Sequence, residues 1–337
     1  MKIVMYPKIQ VDTAIAYFLL KNFGDEKFPG VADASPAFWT ELPEERNNVD
    51  ELEADGYILV DLGGGKFDHH RLGPDNKKFS VSHLVAQHLG IDTFPELRKL
   101  LELARRDDLE GKGTISIDPI DRAFGISGLL SALNKTYSTD PEKILYIILP
   151  LIHGHYVQEH QKYQEFPKEY EAALKSGKAK ELAATQLGKH LKIVYLESDN
   201  PSMPGFLRSK FIGAHMVIQK TSTGHINFIT NQTAQLQLHK LARAIKLLEA
   251  EASNIILNID NLAELEKPGR TEGLPHWYYD TRANTLQNGG INPQNIPPTK
   301  LSITDIETTV KQSLNLSRQD DKFKKPERRI PGAIYID

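Results

Sequence analysis

The sequence predicts an α/β protein: a first domain with a mainly parallel sheet flanked by helices, followed by a smaller α+β domain. Three observations predict it. The chain opens with a short apolar run, "MKIVMY", followed at once by a helix-length apolar segment. A second continuous apolar run, "GYILVDLGGG", ends in three glycines. Near residue 182 the texture changes from helix-period apolar spacing to alternating, β-branched stretches.

Each element follows in order. "MKIVMY" reads as a buried strand, and "VDTAIAYFLLKNFG", residues 11 to 24, as a packed helix ending at Gly24. "GYILVDLGGG" carries the signature of a central parallel strand whose C-terminal end faces a site, which puts Asp61 near that end. The Pro- and acid-rich stretch between them leaves an edge strand open without placing it. From about residue 80 to 176, helix-period segments with Ser, Asp or Pro starts predict helices at "SVSHLVAQHLG", "FPELRKLLELARR", "PIDRAFGISGLLSALNKT" and "DPEKILYIILPLIHGHYVQEHQKYQEF".

A charged helix, "KEYEAALKSGKAKEL", then links the first domain, residues 1–176, to the second, residues 182–337. In the second, "LKIVYLESD" and "AHMVIQKTSTGHINFITNQ" read as strands, the latter divided by "TSTG" as a hairpin would be. "LQLHKLARAIKLLEAEAS" reads as an amphipathic helix, and a further helix is expected at 302 to 315. A chain of 337 residues exceeds the length at which a single core usually stops growing, so two domains are the natural partition.

Composition narrows the chemistry. With 40% apolar and 25% charged residues, the chain has ordinary globular usage. A net charge of −3 gives no global attraction to polyanions, so any nucleic-acid contact must be local. The absence of cysteine excludes disulfides, thiolate zinc sites and thiol nucleophiles, leaving His, Asp and Glu as metal ligands. The N-terminus lacks a signal-peptide apolar core, and "ILYIILPLI" is too short to span a bilayer, so a cytoplasmic location without membrane contact is expected.

"YILVDLGGGKFDHH" places Asp61, Asp68, His69 and His70 around a glycine run that permits a tight turn. Such side chains, brought together from two chain segments, are the usual makings of a hard-metal site at a strand end. The alternative from the residues alone is that Asp61 caps a turn and the histidines make surface hydrogen bonds.

This motif, behind a strand and an Asp-bearing helix start, resembles the DHH phosphoesterase superfamily, nearest the Myg-type family of metal-dependent hydrolases and exonucleases, whose pattern runs V-D-x-G-G, spacer, D-H-H. The likeness covers about the first 130 residues, and the remainder in outline. It implies a DHH-like metal-binding domain in which Asp12, Asp61, His69 and Asp108 hold Mn²⁺ or Mg²⁺, as one ion or two, with Asp107 the neighbouring alternative to Asp108. It further implies that Asp61, Asp68, His69 and His70 are catalytic, that water activated by the metal hydrolyses a phosphodiester, and that His70 stabilises developing charge. Arg71 joins them on the substrate side.

In the second domain the resemblance implies substrate binding by a glycine–histidine strand turn. Gly224 and His225 in "TSTGHINFITN", and Asn288, Gly289 and Gly290 in "QNGG", hold suitable places. The implied substrate is a nucleotide or short single-stranded nucleic acid, and a homodimer is compatible with this reading.

The sequence also departs from the pattern. Met5 or Tyr6 stands where the family has its first histidine, and Gln10 where it has the next ligand. That departure motivates the competing expectation of a catalytically impaired nucleotide- or nucleic-acid-binding protein on the same scaffold. It also argues against a two-metal pyrophosphatase.

Other clusters admit plainer readings. "HGHYVQEH" sets His153, His155, Glu159 and His160 on one helix, but not in the H-E-x-x-H order of a zinc protease, which suits a phosphate-facing wall or core better than a metal site. "KFKKPERR" reads as solvated surface charge, and the aromatic run in "PHWYYD" as packing rather than a base-stacking platform.

Overall fold

The computed structural model describes residues 1–46, 48–71, 79–290 and 295–315. The chain forms two compact units, Met1–Glu165 and Phe166–Asp337. The protein is mixed α/β, with a parallel three-stranded sheet in the first unit and a mostly antiparallel, mixed seven-stranded sheet in the second. No helix among the described residues is long and apolar enough to cross a membrane.

In the first unit β1 (Lys2–Met5) pairs in parallel with β2 (Ser35–Phe38) on one side and β3 (Tyr57–Leu59) on the other. The expected central strand is therefore an edge strand, and β1 takes the centre. An unbroken apolar run reports burial of both faces, not the number of paired neighbours. Both faces are indeed covered: Ile3, Met5, Ile58 and Val60 enter the core built on α1 (Val11–Phe23), while Val4 and Leu59 join Leu52 of α2 (Val49–Ala54). The edge strand left open between residues 28 and 56 is β2.

The helical block follows the expected segments, as α3 (Val81–Leu89), α4 (Arg98–Glu110), α5 (Pro119–Phe124), α6 (Ile126–Thr136) and α7 (Pro141–His160). The predicted single helix over 119–136 is broken between α5 and α6. There Gly125 is extended, and a Cβ on it would come within 2.5 Å of Thr114 Oγ1, so the close approach of the 111–116 loop requires glycine.

The second unit opens with α8 (Phe166–Lys175), whose Phe166, Tyr170 and Ala173 enter its core. The expected linker helix ends there: Gly177, at φ +75°, turns the chain into β4 (Ala179–Gln186), which pairs with β5 (Lys189–Glu197). The charges of β4 read as helical, yet they serve an edge strand, Lys180 meeting Glu307 at 3.1 Å and Glu181 meeting Lys192 at 2.8 Å.

After α9 (Met203–Arg208), the predicted hairpin appears as β6 (Met216–Lys220) and β7 (Ile226–Thr230). Then come α10 (His239–Ala252), β8 (Gly269–Thr271), β9 (Leu274–Asp280), β10 (Thr285–Gln287) and α11 (Ile303–Leu314). The sheet order is β4-β5-β6-β7-β10-β9-β8, so strands β8, β9 and β10 complete this sheet. Trp277 and Tyr279 pack inside it, while Tyr278 faces out beneath the guanidinium of Arg270.

Candidate metal centre

The site grows from the end of β3. Val60 still donates its N–H to Val4 O (2.8 Å), after which Asp61 turns the chain at φ +57°, a left-handed conformation that aspartate tolerates better than most residues. Gly63 and Gly64 continue at φ +73° and +72°. Asp61 N–H then donates to Phe67 O (2.9 Å), closing the loop so that the D-H-H triplet returns beside the strand end.

Asp68 holds this loop shut: Gly64 N–H donates to its Oδ2 at 2.7 Å, and His70 N–H to its Oδ1 at 2.9 Å. Its carboxylate is thereby turned into the turn. His69 and His70 follow on a single 3-10 turn, with ring centroids 4.3 Å apart.

Three donors converge. Asp61 Oδ1 lies 3.5 Å from His69 Nε2 and 3.5 Å from His70 Nε2, and one ligand atom from each of the three residues fits within a 4.8 Å spread. His69 is only 7% exposed, whereas the His70 side chain is 69% exposed, so the cluster has a buried floor and an open side. Asp61 Oδ1, His69 Nε2 and the nearby Asp108 Oδ2 are buried without a hydrogen-bond partner. Orphaned buried polar atoms are costly, and the two that face each other, Asp61 Oδ1 and His69 Nε2, are what a cation would satisfy. Two imidazole nitrogens and a carboxylate oxygen suit a divalent transition-metal ion.

The remaining predicted residues divide. Asp108, near the C-terminal end of α4, brings Oδ2 to 3.3 Å from His69 Nδ1. Asp107 points elsewhere, against Gly113 and Ser127. Asp12 is buried at the start of α1, but its carboxylate is committed to the N-terminus of α3, accepting from Val81 N–H (2.8 Å) and Ser82 N–H (2.9 Å). Gln10 precedes α1, its N–H donating to Thr13 Oγ1, and Met5 is a core residue. The side chain of Arg71 and all of "KFKKPERR" lie outside the described residues.

Charges at the site reinforce one another. Burial raises Asp61 above the ordinary carboxylate range, and His69 and His70 partly offset this. Burial, with the Asp12 charge beside it, pushes Asp108 up to about 6. Burial also depresses His83, whose Nδ1 lies 3.1 Å from Ser80 Oγ at the head of α3. Sequence reasoning missed the Phe79 carbonyl, 3.2 Å from His69 Nδ1, because a backbone group leaves no mark in residue identity.

The second-unit candidates also lie close together. His225 contacts Thr223 Oγ1 (2.8 Å) and Ile296 O (2.9 Å) through its two ring nitrogens. Asn288, fully buried, donates to His276 O and Pro297 O and accepts from Thr299 N–H. Gly224, at φ +84°, leaves room for Pro298, whose Cβ would lie 3.2 Å from an added methyl. Gly289 and Gly290 turn the chain at φ +85° and +65° just after Asn288. These residues bind the 295–299 segment of the chain itself.

On α7, Glu159 accepts from Lys99 (2.9 Å) and Lys162 (2.6 Å), His160 lies near Glu96, and His153 packs edge-on to Phe18.

No family model and no curated protein matches this chain. Among solved structures, an uncharacterized protein from Helicobacter pylori G27 is 10% identical, over 94% of this chain and 99% of that one, at a TM-score of 0.24.

Proposed function

We propose that the protein is a metal-dependent phosphoesterase of DHH type that hydrolyses phosphodiester bonds of a nucleotide or short single-stranded nucleic acid. The observation that carries this reading is the convergence of Asp61 Oδ1, His69 Nε2 and His70 Nε2, the first two buried and unpartnered, on one half-open spot at a strand end. The sequence likeness around these residues supplies the reaction class; the geometry supports the metal. Asp61, His69 and His70 would hold the divalent cation, which when bound would supply a water of lowered pKa and neutralise charge on a phosphoryl oxygen.

The chain's own groups have separable tasks. Asp61 and the two imidazoles hold the cation, and the Asp68 turn fixes the spacing of the triplet. His70, exposed on the open side, is the residue a substrate phosphate reaches first. Asp12 anchors α3, and through it the backbone that flanks His69.

The test is release of mononucleotides from short single-stranded RNA or DNA, with and without Mn²⁺ or Mg²⁺. Activity should require added metal, and Asp61→Ala should abolish it while circular dichroism remains native. Metal-independent turnover, or full activity in Asp61→Ala, would refute the reading. Nucleotide binding without hydrolysis across these metals would instead establish a binding protein on this scaffold, a reading favoured by the commitment of the Asp12 and Asp68 carboxylates to backbone amides.

A further inference from the structure

We propose that the centre is mononuclear and selective for transition metals: one cation held by Asp61 Oδ1, His69 Nε2 and His70 Nε2, with Asp108 and the Phe79 carbonyl positioning the His69 ring. This rests on the metal-centre reading above but not on phosphoesterase activity.

Counting donors carries the first half. A second hard cation needs several further oxygens, ideally six ligands in all for Mg²⁺. Among the described residues, two of the carboxylates near the cluster are already engaged, and the third, Asp108, lies against His69 Nδ1 rather than Nε2. Both Asp12 oxygens accept from α3 backbone amides, and both Asp68 oxygens accept from the loop they close. Met5 is fully buried in the core, and Gln10 sits at the start of α1. What faces the common point is the Asp61 carboxylate and two imidazole nitrogens, a set that suits Mn²⁺, Co²⁺ or Zn²⁺ better than Mg²⁺.

The second half follows from the two edges of one ring. Asp61 Oδ1 approaches His69 at Nε2 (3.5 Å), whereas Asp108 Oδ2 and Phe79 O approach at Nδ1 (3.3 and 3.2 Å). With Nδ1–H donated to the carbonyl, Nε2 carries the lone pair and faces Asp61 and His70. This is the outer-sphere arrangement that fixes tautomer and ring orientation in metal-binding histidines. Asp108 addresses the edge of the ring turned away from the cation, so it acts through His69 and is a positioning residue.

The experiment is calorimetric titration of the full chain with Mn²⁺, Zn²⁺ and Mg²⁺, for wild type, His69→Ala, Asp108→Ala and Asp108→Asn. It is paired with long-range ¹⁵N NMR of the histidines in the zinc-loaded protein and circular dichroism of each variant.

We expect one equivalent of Mn²⁺ or Zn²⁺ per chain, with Mg²⁺ at least about tenfold weaker. Asp108→Ala should weaken binding by about 10- to 100-fold at unchanged stoichiometry, and Asp108→Asn should recover part of that loss. The NMR should find His69 and His70 ligated through Nε2. Two equivalents, ligation through His69 Nδ1, or Mg²⁺ binding as tightly as Mn²⁺ would overturn the proposal while leaving phosphoester hydrolysis standing. Failure to hydrolyse any phosphodiester would leave these binding results intact, so the two readings fail separately.

Discussion

Two regions of this molecule gather histidines and carboxyl or amide side chains, and they differ in what those side chains lack. In the second unit Glu249 is fully buried yet fully engaged: Trp277 Nε1–H and Thr299 Oγ1 donate to Oε2, and Lys300 N–H donates to Oε1 at 3.0 Å. Asn288 and His225 are equally well supplied. In the first unit Asp61 Oδ1, His69 Nε2 and Asp108 Oδ2 are buried without partners, and the one grouping of three potential metal ligands among the described residues lies there. Proximity therefore does not distinguish a site from a scaffold. Unpaired ligand atoms set side by side do: the second unit also leaves His276 Nδ1 and Asn227 Oδ1 buried without partners, but among the described residues only Asp61, His69 and His70 bring three potential ligand atoms together, where a cation can return the stability given up.

That contrast can be broken by exchanging stability readouts between the regions. Trp39 and Trp277 are the two tryptophans, so a Trp39→Phe background makes fluorescence report the second unit during urea unfolding. There, Glu249→Ala should show the largest effect, a loss of about 3–5 kcal/mol, because it strips a buried network of its common acceptor. Mn²⁺ affinity should not change. Asn288→Ala comes next, at about 1–3 kcal/mol, since two carbonyls and one amide lose their partner. If Asn288→Ala weakened nucleotide binding without loss of stability, Asn288 would serve substrate rather than the 295–299 segment.

Lys246 sharpens the comparison from the opposite side. It is buried on α10, its ammonium 3.5 and 3.4 Å from the carbonyls of Lys267 and Gly269, and burial lowers its pKa to about 8. The unfolded chain thus binds the proton more tightly than the folded one, so between pH 8 and the ordinary lysine value near 10.5 wild-type stability gains with rising pH. Lys246→Met should stabilise the second unit by about 1–3 kcal/mol at neutral pH, a gain that shrinks across that window. Urea midpoints at pH 7 and pH 10 measure it; an equal gain at both would contradict a buried charge.

The smallest stability change belongs to the candidate centre. Asp61→Asn keeps a residue that accepts the left-handed backbone and removes a carboxylate whose Oδ1 has no partner, so stability should shift by less than about 1 kcal/mol. Mn²⁺ binding should nevertheless be lost. A large destabilisation with metal affinity retained would make Asp61 structural, and the contrast between the two regions would collapse.

Much of this was legible in the residues, because short-range order is. The apolar run at 2–5 and the helix at 11–23 follow from local periodicity, as do the β6–β7 hairpin around "TSTG" and the helix at 303–314. Asp61, His69 and His70 lie within ten positions, so a closed glycine turn was enough to bring them together. β4 was not legible: Lys180 and Glu181 continue the charged run of the preceding helix, and only the partner strand shows that Glu181 serves a contact with Lys192.

Distance along the chain set the limit at the centre too. Sequence by itself determined the donor types, the absence of thiolates and the turn that holds the triplet, since each depends on neighbouring residues alone. Tertiary structure decided that Asp12 caps a helix beginning some seventy residues later, and that Asp108 rather than Asp107 meets His69. Adjacent residues on a helix point about 100° apart, and only the packing of α4 against the rest of the unit fixes which of them turns toward the ring.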